Sequence, residues 1–408
     1  MSGQPSNTAL STRFIFGANA AVHNNVSFTN EETIAYVAGQ TIVLYNLIDK
    51  RQRFLSGVEI TDVITAYASG PGKRLAAVAE RGDHPQLHVF DLRTFRRKKT
   101  LIASEGGGTE YVCCSFSEDD QLLMTLTGAP DWNLTVWNWQ KAKVVSAMQV
   151  SVSGDAINDI CFSPIDATVV CCIGKEYVKF YRTSDKEMRV LHETHFPDKN
   201  FVSMAWMRHP EDHLLVGSAE GDILLFRAGQ FVMSLPNAPG PMDGRPCTSL
   251  STVANGFIAG SASSMYFYFY DETADQALYD DQFVFTKKIE TEITAGNFIC
   301  MAQSPNEELV CIMTSDAQLL KVPITSPQSM TTTDIEYAVC SFHGPKSIIA
   351  LDCCVLKPLV VTICKDFTLR LWNFRDHVPD LIRVFPEDMY SVAMHPAGLH
   401  CAVGFTDK

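Results

Sequence analysis

Short apolar runs alternate with polar turns along nearly the whole chain. The repeating unit is an apolar run, a Ser-Pro-like turn and a second apolar run. Runs of this length between turn residues are typical of buried β-strands. The clearest turns are Ser69–Pro71, Ser117–Asp119, Ser163–Pro164, His209–Pro210, Ser304–Pro305, Lys357–Pro358 and His395–Pro396. The pattern therefore predicts an all-β protein.

The spacing of these units predicts the kind of β-protein. The first turns lie at positions 71, 118, 164 and 210, steps of 47, 46 and 46 residues. A WD40 blade has about 40–45 residues. Several units also contain a strand ending in an aromatic residue and a polar one, as in Leu369–Asn373, Leu134–Asn138 and Leu87–Asp91. With weaker starts at Asn30 and Asn255, we predict a WD40-type β-propeller of seven blades and the start of a second propeller.

Changes in composition and repeat length predict the domain boundaries. Residues 25–324 hold enough units for one seven-bladed ring, and the polar segment 325–347 is predicted to be a linker. From 348 to 408 the repeat shortens to 38 residues (358 to 396), which indicates an incomplete second propeller. Because stable proteins avoid an unpaired sheet edge, we expect the chain to be the N-terminal part of a longer protein.

The N-terminal segment 1–24 contains a candidate strand at Arg13–Gly17. Such a strand could close the first ring as its outermost strand.

Composition narrows the functional classes. The formal net charge is −13, which disfavours binding to nucleic acid or anionic membranes, and no apolar run approaches the length of a membrane span. The chain has no recognisable signal peptide. Its 13 cysteines, several in adjacent pairs within apolar runs, are interpreted as core residues in a reducing compartment. We expect a soluble intracellular protein.

The motifs that could support chemistry all have a simpler interpretation. The Gly70–Arg74 sequence departs from a phosphate-binding loop, and His192 and His195 have the wrong spacing for a zincin. His343, Asp366 and Trp372 match the buried hydrogen-bond network of WD repeats, with Cys364 in place of the usual hydroxyl residue. We predict no catalytic, cofactor, metal or small-molecule site.

A single basic cluster stands out in this acidic chain. It consists of Arg93, Arg96, Arg97, Lys98 and Lys99, on the predicted outer strand or hairpin of the second blade. Charges there can simply prevent edge-to-edge pairing of sheets, the interpretation we favour. The alternative is electrostatic contact with an acidic protein partner.

Several runs also resemble one known family, that of cilia- and flagella-associated protein 57. They are Asn24–Phe28, Lys357–Thr362, Leu369–Asn373, Tyr390–Gly398 and Val403–Lys408. The resemblance implies two WD propellers followed by coiled coil, and a place in the motile ciliary axoneme as a regulator or docking factor for inner dynein arms. Tubulin would then be a candidate acidic partner.

Three functional classes follow. The first is a non-catalytic scaffold of the ciliary axoneme, located in the cytoplasm and cytoskeleton, that docks inner dynein arm components or neighbouring axonemal proteins. The second is a soluble WD adaptor of another complex, such as a ubiquitin ligase receptor or a trafficking coat. The third, a propeller enzyme, is least favoured because the inner strands offer mainly Val, Ala, Cys and Leu.

Overall fold

The structure is a computed structural model that describes residues 11–55, 63–102, 108–151, 155–184, 186–235, 244–271, 282–293, 296–324 and 334–405. In these ranges the strands are joined into antiparallel sheets. The described part of the chain contains no apolar helix long enough to span a bilayer.

The first three sheets each have four strands in chain order. Their strands are β1 (Ser27–Asn30), β2 (Thr33–Ala38), β3 (Thr41–Asn46), β4 (Arg51–Phe54), β5 (Ile64–Ser69), β6 (Leu75–Glu80), β7 (Gln86–Asp91), β8 (Arg96–Ile102), β9 (Tyr111–Phe116), β10 (Leu122–Thr127), β11 (Asn133–Asn138) and β12 (Lys143–Gln149). These sheets are the first three blades.

The fourth and fifth blades are joined into one six-stranded sheet. Its strands are β13 (Ile157–Phe162), β14 (Val169–Ser184), β15 (Glu187–Trp206), β16 (His213–Ser218), β17 (Ile223–Arg227) and β18 (Gln230–Ser234). The Thr183 amide donates to the Thr168 carbonyl at 2.7 Å, so β14 folds back on itself as a hairpin. The first part of β15 pairs with β14 and the second part with β16, so β15 contributes to both blades.

The remaining sheets complete the first ring and continue beyond it. Their strands are β19 (Ser249–Val253), β20 (Gly256–Ser261), β21 (Ser264–Tyr270), β22 (Phe283–Glu290), β23 (Phe298–Gln303), β24 (Leu309–Thr314), β25 (Leu319–Pro323), β26 (Glu336–Tyr337), β27 (Ile348–Cys353), β28 (Leu359–Cys364), β29 (Thr368–Asn373), β30 (Val378–Val384), β31 (Met389–Met394) and β32 (Cys401–Phe405). Thus β19–β22 and β23–β26 are blades six and seven, and β27–β30 form the eighth sheet. The pair β31–β32 begins a ninth.

The first seven blades close into a ring. An apolar cluster lies between each pair of successive blades, including one that joins blade seven to blade one. In this last cluster Phe28 and Tyr36 pack with Cys300 and Met313. The first strands of successive blades contact one another, β1 and β5 through the hydroxyls of Ser27 and Tyr67, and this places the first strands around the axis. The predicted WD40-type propeller with seven blades is confirmed.

The second strand of each blade shows why the apolar runs are continuous. Ala76 and Val78 of β6 pack toward blade one, whereas Ala77 and Ala79 pack toward blade three. Side chains alternate between the two faces of a strand, and here both faces are covered. A single blade could not bury both of its faces, which is why the repeat is needed many times.

The N-terminal segment differs from the prediction, since no strand is present at Arg13–Gly17. The Ile15 amide instead donates to Oε1 of Gln52 at 2.7 Å, and the Gln52 side-chain amide donates to the Ile15 carbonyl at 3.0 Å. Phe14 stacks on His377, with ring centroids 4.1 Å apart. Apolar side chains and one Gln therefore hold the segment, without a β-ladder.

The outer strand of blade seven comes from later in the sequence. The short strand β26 pairs with β25, although it lies inside the segment 325–347 predicted as linker. Blade seven therefore extends to Tyr337. Residues 325–333 of that linker, residues 1–10 and residues 406–408 lie outside the described part of the chain. The second propeller at 348–408 remains a prediction beyond its sheets β27–β32.

Candidate protein-binding surfaces

The eighth sheet contains the hydrogen-bond network predicted from the sequence. The indole nitrogen of Trp372 donates to Oγ1 of Thr362 at 2.8 Å, and His343 Nε2 lies 2.7 Å from the same hydroxyl. The other ring nitrogen, Nδ1, lies 3.0 Å from Oγ1 of Thr368 and 3.3 Å from Oδ2 of Asp366. The network therefore runs unbroken from the indole to the carboxylate.

The hydroxyl of this network is Thr362, so the assignment of its place to Cys364 was wrong. The two positions are two residues apart on β28, and the Cys364 thiol instead lies 3.5 Å from the Lys346 carbonyl. Both ring nitrogens of His343 are engaged within the network. This arrangement stabilises the hairpin between β28 and β29, because a buried polar network is favourable when its members are satisfied.

In several blades the third strand ends in an aromatic residue followed by Asn or Asp. This Asn or Asp has a local role that either side chain can fill. Oδ1 of Asn46 accepts hydrogen bonds from the Ile48 amide at 2.9 Å and the Asp49 amide at 2.7 Å. Oδ1 of Asp91 accepts from the Arg93 and Thr94 amides, both at 3.0 Å. Asn and Asp side chains both favour this kind of turn. The residue thus shapes the turn that leads to the outer strand.

The predicted basic cluster lies where the sequence placed it, on the turn and outer strand of blade two. Arg93, Arg96, Arg97, Lys98 and Lys99 are all exposed. Four of them belong to β8, and the pairing of β8 with β7 shifts register there, which is a β-bulge at an outer edge. The side chains consequently point to solvent rather than to a neighbouring blade.

One buried carboxylate organises this turn. The Asp91 side chain is fully buried, and its Oδ2 accepts from Arg74 Nη2 at 2.8 Å and lies 3.4 Å from Lys98 Nζ. Burial by itself would raise the pKa of Asp91, but the bonds from the Thr94 amide, Arg74 and Lys98 outweigh it and hold the pKa well below its usual range. Lys98 therefore forms an ion pair with Asp91 and is less available than its neighbours for contact with a partner.

The structure extends the basic cluster onto blade one, which the sequence reasoning missed. The Arg53 guanidinium carbon lies 4.0 Å from the centroid of the Phe95 ring, so the outer strand of blade one contacts the turn of blade two. Arg51, two residues earlier on β4, is also exposed. The alternation of Arg51 and Arg53 along a predicted outer strand was a signal in the sequence that could have indicated this extension. We call the set Arg51, Arg53, Arg93, Arg96, Arg97, Lys98 and Lys99 the basic surface.

One rim of the ring is built from the hairpins between the first two strands of the blades, and polar contacts link them laterally. The Asn306 amide donates to Oε1 of Glu31 at 2.6 Å, joining blades seven and one. Glu307 accepts from the Ala254 amide at 2.8 Å and from Arg208 Nη1 at 2.6 Å. These contacts hold loops from blades five, six, seven and one in fixed relative positions.

The fold and these features define the class: the chain is a WD40-type β-propeller protein. One protein of a crystal structure of the mitotic checkpoint complex superposes with a TM-score of 0.59 at 11% identity, covering 78% of this chain and 94% of that one. A likeness at this identity shows the fold alone. No protein-family model matches the chain.

Curated relatives confirm the resemblance to cilia- and flagella-associated protein 57. The mouse protein of that name is 25% identical over 97% of this chain, and the Tetrahymena thermophila protein 57 A is 25% identical over 98%. Mouse cilia- and flagella-associated protein 44 is 25% identical over 41% of the chain. The chain spans about a third, 35%, of the length of the first two relatives. The predicted link to cilia and flagella is thus confirmed by the names these relatives bear.

Proposed function

We propose that this chain is the propeller part of a non-catalytic scaffold in the axoneme of motile cilia or flagella. The proposal depends on one observation. This chain is similar to cilia- and flagella-associated protein 57 of the mouse over 97% of its length, and to protein 57 A of Tetrahymena thermophila over 98%. These organisms are distant, and both relatives are named for the cilium or flagellum.

The mechanism we propose is positional. Loops on a closed ring are ordered before a partner arrives, so little conformational entropy is lost on binding. The links from Asn306 to Glu31 and from Arg208 to Glu307 support this view, because they fix neighbouring hairpins relative to one another. Several such loops together can hold a partner at a defined place and angle.

The partners we propose are inner dynein arm components or neighbouring axonemal proteins. The basic surface is complementary in charge to an acidic partner. Tubulin is our candidate for that acidic partner. Its seven cations stand on a chain of net charge −13, so they form a local positive field that an acidic surface can meet. The contact would be sensitive to salt, because exposed charges are screened over about 8 Å at physiological ionic strength.

Fractionation of the tagged full-length protein from ciliated cells tests this proposal. Cilia are isolated and extracted with detergent, then with high salt, and each fraction is probed. A scaffold of the axoneme stays in the detergent-insoluble pellet and is followed by cross-linking to name its neighbours. Recovery in the detergent extract, or absence from cilia, would reject the axonemal role and leave an adaptor of another complex.

A further inference from the structure

A second kind of site lies at one mouth of the central channel. The mouth opens into a cavity of about 660 Å³ whose lining includes His23, Cys113, Arg81 and Glu110. It lies on the side where the first strands begin, since His23 precedes β1, and Cys113 is the third residue of β9. Asp159, the third residue of β13, stands next to these two.

The segment before blade one and two different blades supply these side chains. His23 forms a bridge with Ala66 of blade two, Cys113 belongs to blade three and Asp159 to blade four. One nitrogen, sulfur or oxygen atom from each residue lies within 4.8 Å of the other two. Ring closure brings the three together, although His23 and Asp159 are 136 positions apart in the sequence.

The geometry of one pair already resembles that of two ligands of a single ion. His23 Nε2 and Asp159 Oδ1 are 3.6 Å apart. Two ligands about 2.1 Å from a tetrahedral zinc ion are about 3.4 Å apart. Imidazole, thiolate and carboxylate are the three side-chain groups that bind zinc in proteins.

The polar groups of this cluster are only partly satisfied by the described residues: Oδ1 of Asp159 accepts from the Ile160 amide at 2.8 Å, and the Cys113 thiol lies 3.5 Å from the Asn158 carbonyl oxygen. Nδ1 of His23 is buried and has no hydrogen-bond partner there. The Asp159 side chain is only 12% exposed, and within the described ranges its ionic contact is with His23, which is charged only if protonated. Arg81, the nearby cation of the cavity lining, donates to Glu110 at 2.8 Å from its Nε. A buried carboxylate without a full positive partner is unfavourable, and a metal ion would remove that deficit.

We propose that His23, Cys113 and Asp159 form a zinc site at the mouth of the channel. His23 and Cys113 also line the cavity, so the fourth ligand can be a water molecule or a side chain of a docked partner. The ion would tie the segment before blade one to blades three and four, at the place where the chain enters the ring. Such a site could not be recognised from the sequence, because no two of the three ligands are close along the chain.

Cobalt titration of the chain, purified without a histidine tag, tests the proposal. Cobalt replaces zinc in such sites, and a thiolate ligand produces a charge-transfer band in the near ultraviolet. The exposed Cys353 and Cys401 are replaced by Ser in all samples to remove binding at the surface. We expect one equivalent of cobalt to produce the band and one equivalent of zinc to abolish it.

Cys113→Ser should abolish the band, and His23→Gln and Asp159→Asn should each weaken metal binding about 100-fold. Cys114→Ser is the matched control: it is also buried, but it packs in the cluster between blades two and three, whereas Cys113 packs between blades three and four. Circular dichroism shows whether each variant is folded. Zinc should also raise the Tm of the parent and of Cys114→Ser, but not of His23→Gln.

The proposal is overturned if the parent chain gives no band and no rise in Tm with zinc. It is equally overturned if folded His23→Gln and Asp159→Asn bind cobalt as tightly as Cys114→Ser. His23→Gln keeps the test decisive even where Cys113→Ser fails to fold, because the His23 side chain is 26% exposed and its replacement leaves the core intact.

Discussion

Arg53 and Phe95 join the outer edges of two blades, with the guanidinium carbon 4.0 Å from the ring centroid. A cation in this position is attracted to the face of the ring. The contact turns two separate groups of charges, on β4 and after β7, into the one basic surface.

Reversing charges on the basic surface should weaken binding to the axoneme. We expect Arg97→Glu with Lys99→Glu to lower affinity for salt-washed axonemes roughly tenfold at low ionic strength. The difference should shrink as salt is added, because screening removes it. Co-sedimentation over a range of salt concentrations measures this. Lys98 is left unchanged because it lies 3.4 Å from Asp91.

The matched control for this experiment is Lys141→Glu with Lys143→Glu. These exposed lysines lie at the corresponding turn and outer strand of blade three. Equal losses in the control and the test variant would mean that net charge alone decides binding, and unchanged binding in the test variant would rule out the basic surface as a contact.

Removal of the Thr362 hydroxyl should destabilise the eighth sheet. Thr362→Val leaves the Trp372 indole donor and one His343 nitrogen without their partner. Each buried unsatisfied group costs about 1–3 kcal/mol, so with two such groups we expect the free energy of unfolding to fall by about 2–6 kcal/mol. Urea denaturation followed by fluorescence measures the loss. Thr362→Ser keeps the hydroxyl and should lose far less, and Cys364→Ser should leave the network intact.

The pH dependence of stability should report on Asp366. Burial would raise its pKa, but hydrogen bonds from His343, Thr368 and the Gly344 amide prevail and hold the pKa well below its usual range. Its contribution to stability is therefore complete above the unfolded value, about 3.9, and is lost as the pH falls below it. The unmutated chain should have a higher free energy of unfolding than Asp366→Asn at pH 7. This difference in the free energy of unfolding should become smaller below about pH 4. A gap that is constant with pH would contradict this assignment.

The turn after the third strand should accept Asp in place of Asn. Asn46→Asp retains the oxygen that accepts from the Ile48 and Asp49 amides and should change stability little. Asn46→Ala removes both bonds and should cost about 1 kcal/mol or more. Thermal unfolding of the two variants compares them directly. Equal losses in both would show that the side chain has another role.

The N-terminal segment should stabilise the eighth sheet through its aromatic residues. The Phe16 ring centroid is 4.7 Å from that of Trp372, and Phe16 packs against the cluster between blades seven and one. Phe16→Ala should therefore increase hydrogen exchange in β28 and β29 as well as in blade one. Arg13→Ala, on the same segment but exposed, is the control. Exchange that rises in blade one alone would mean that the segment does not support the eighth sheet.

The repeat and the blade count could be predicted from the sequence because they depend on local patterns. Apolar runs at a fixed spacing predict strands. A strand that is buried on both faces must lie in a sheet whose two faces are both covered by neighbouring sheets. The positions of Asp91 and Asn46 after an aromatic residue likewise predict a turn whose geometry depends on neighbouring residues. The basic cluster on β8 was located for the same reason, since its exposure follows from its place in the repeat.

Only the tertiary structure decided which distant residues meet. Thr362, and not Cys364, supplies the hydroxyl that meets His343 and Trp372. This depends on how β28 pairs with β29, because a shift in register along a strand changes the partner of every side chain. The contacts of Arg53 with Phe95 and of Phe16 with Trp372 depend on how blades and the N-terminal segment pack. Sequence patterns determine what each strand buries, whereas closing the ring determines its neighbours, since that step joins segments far apart along the chain.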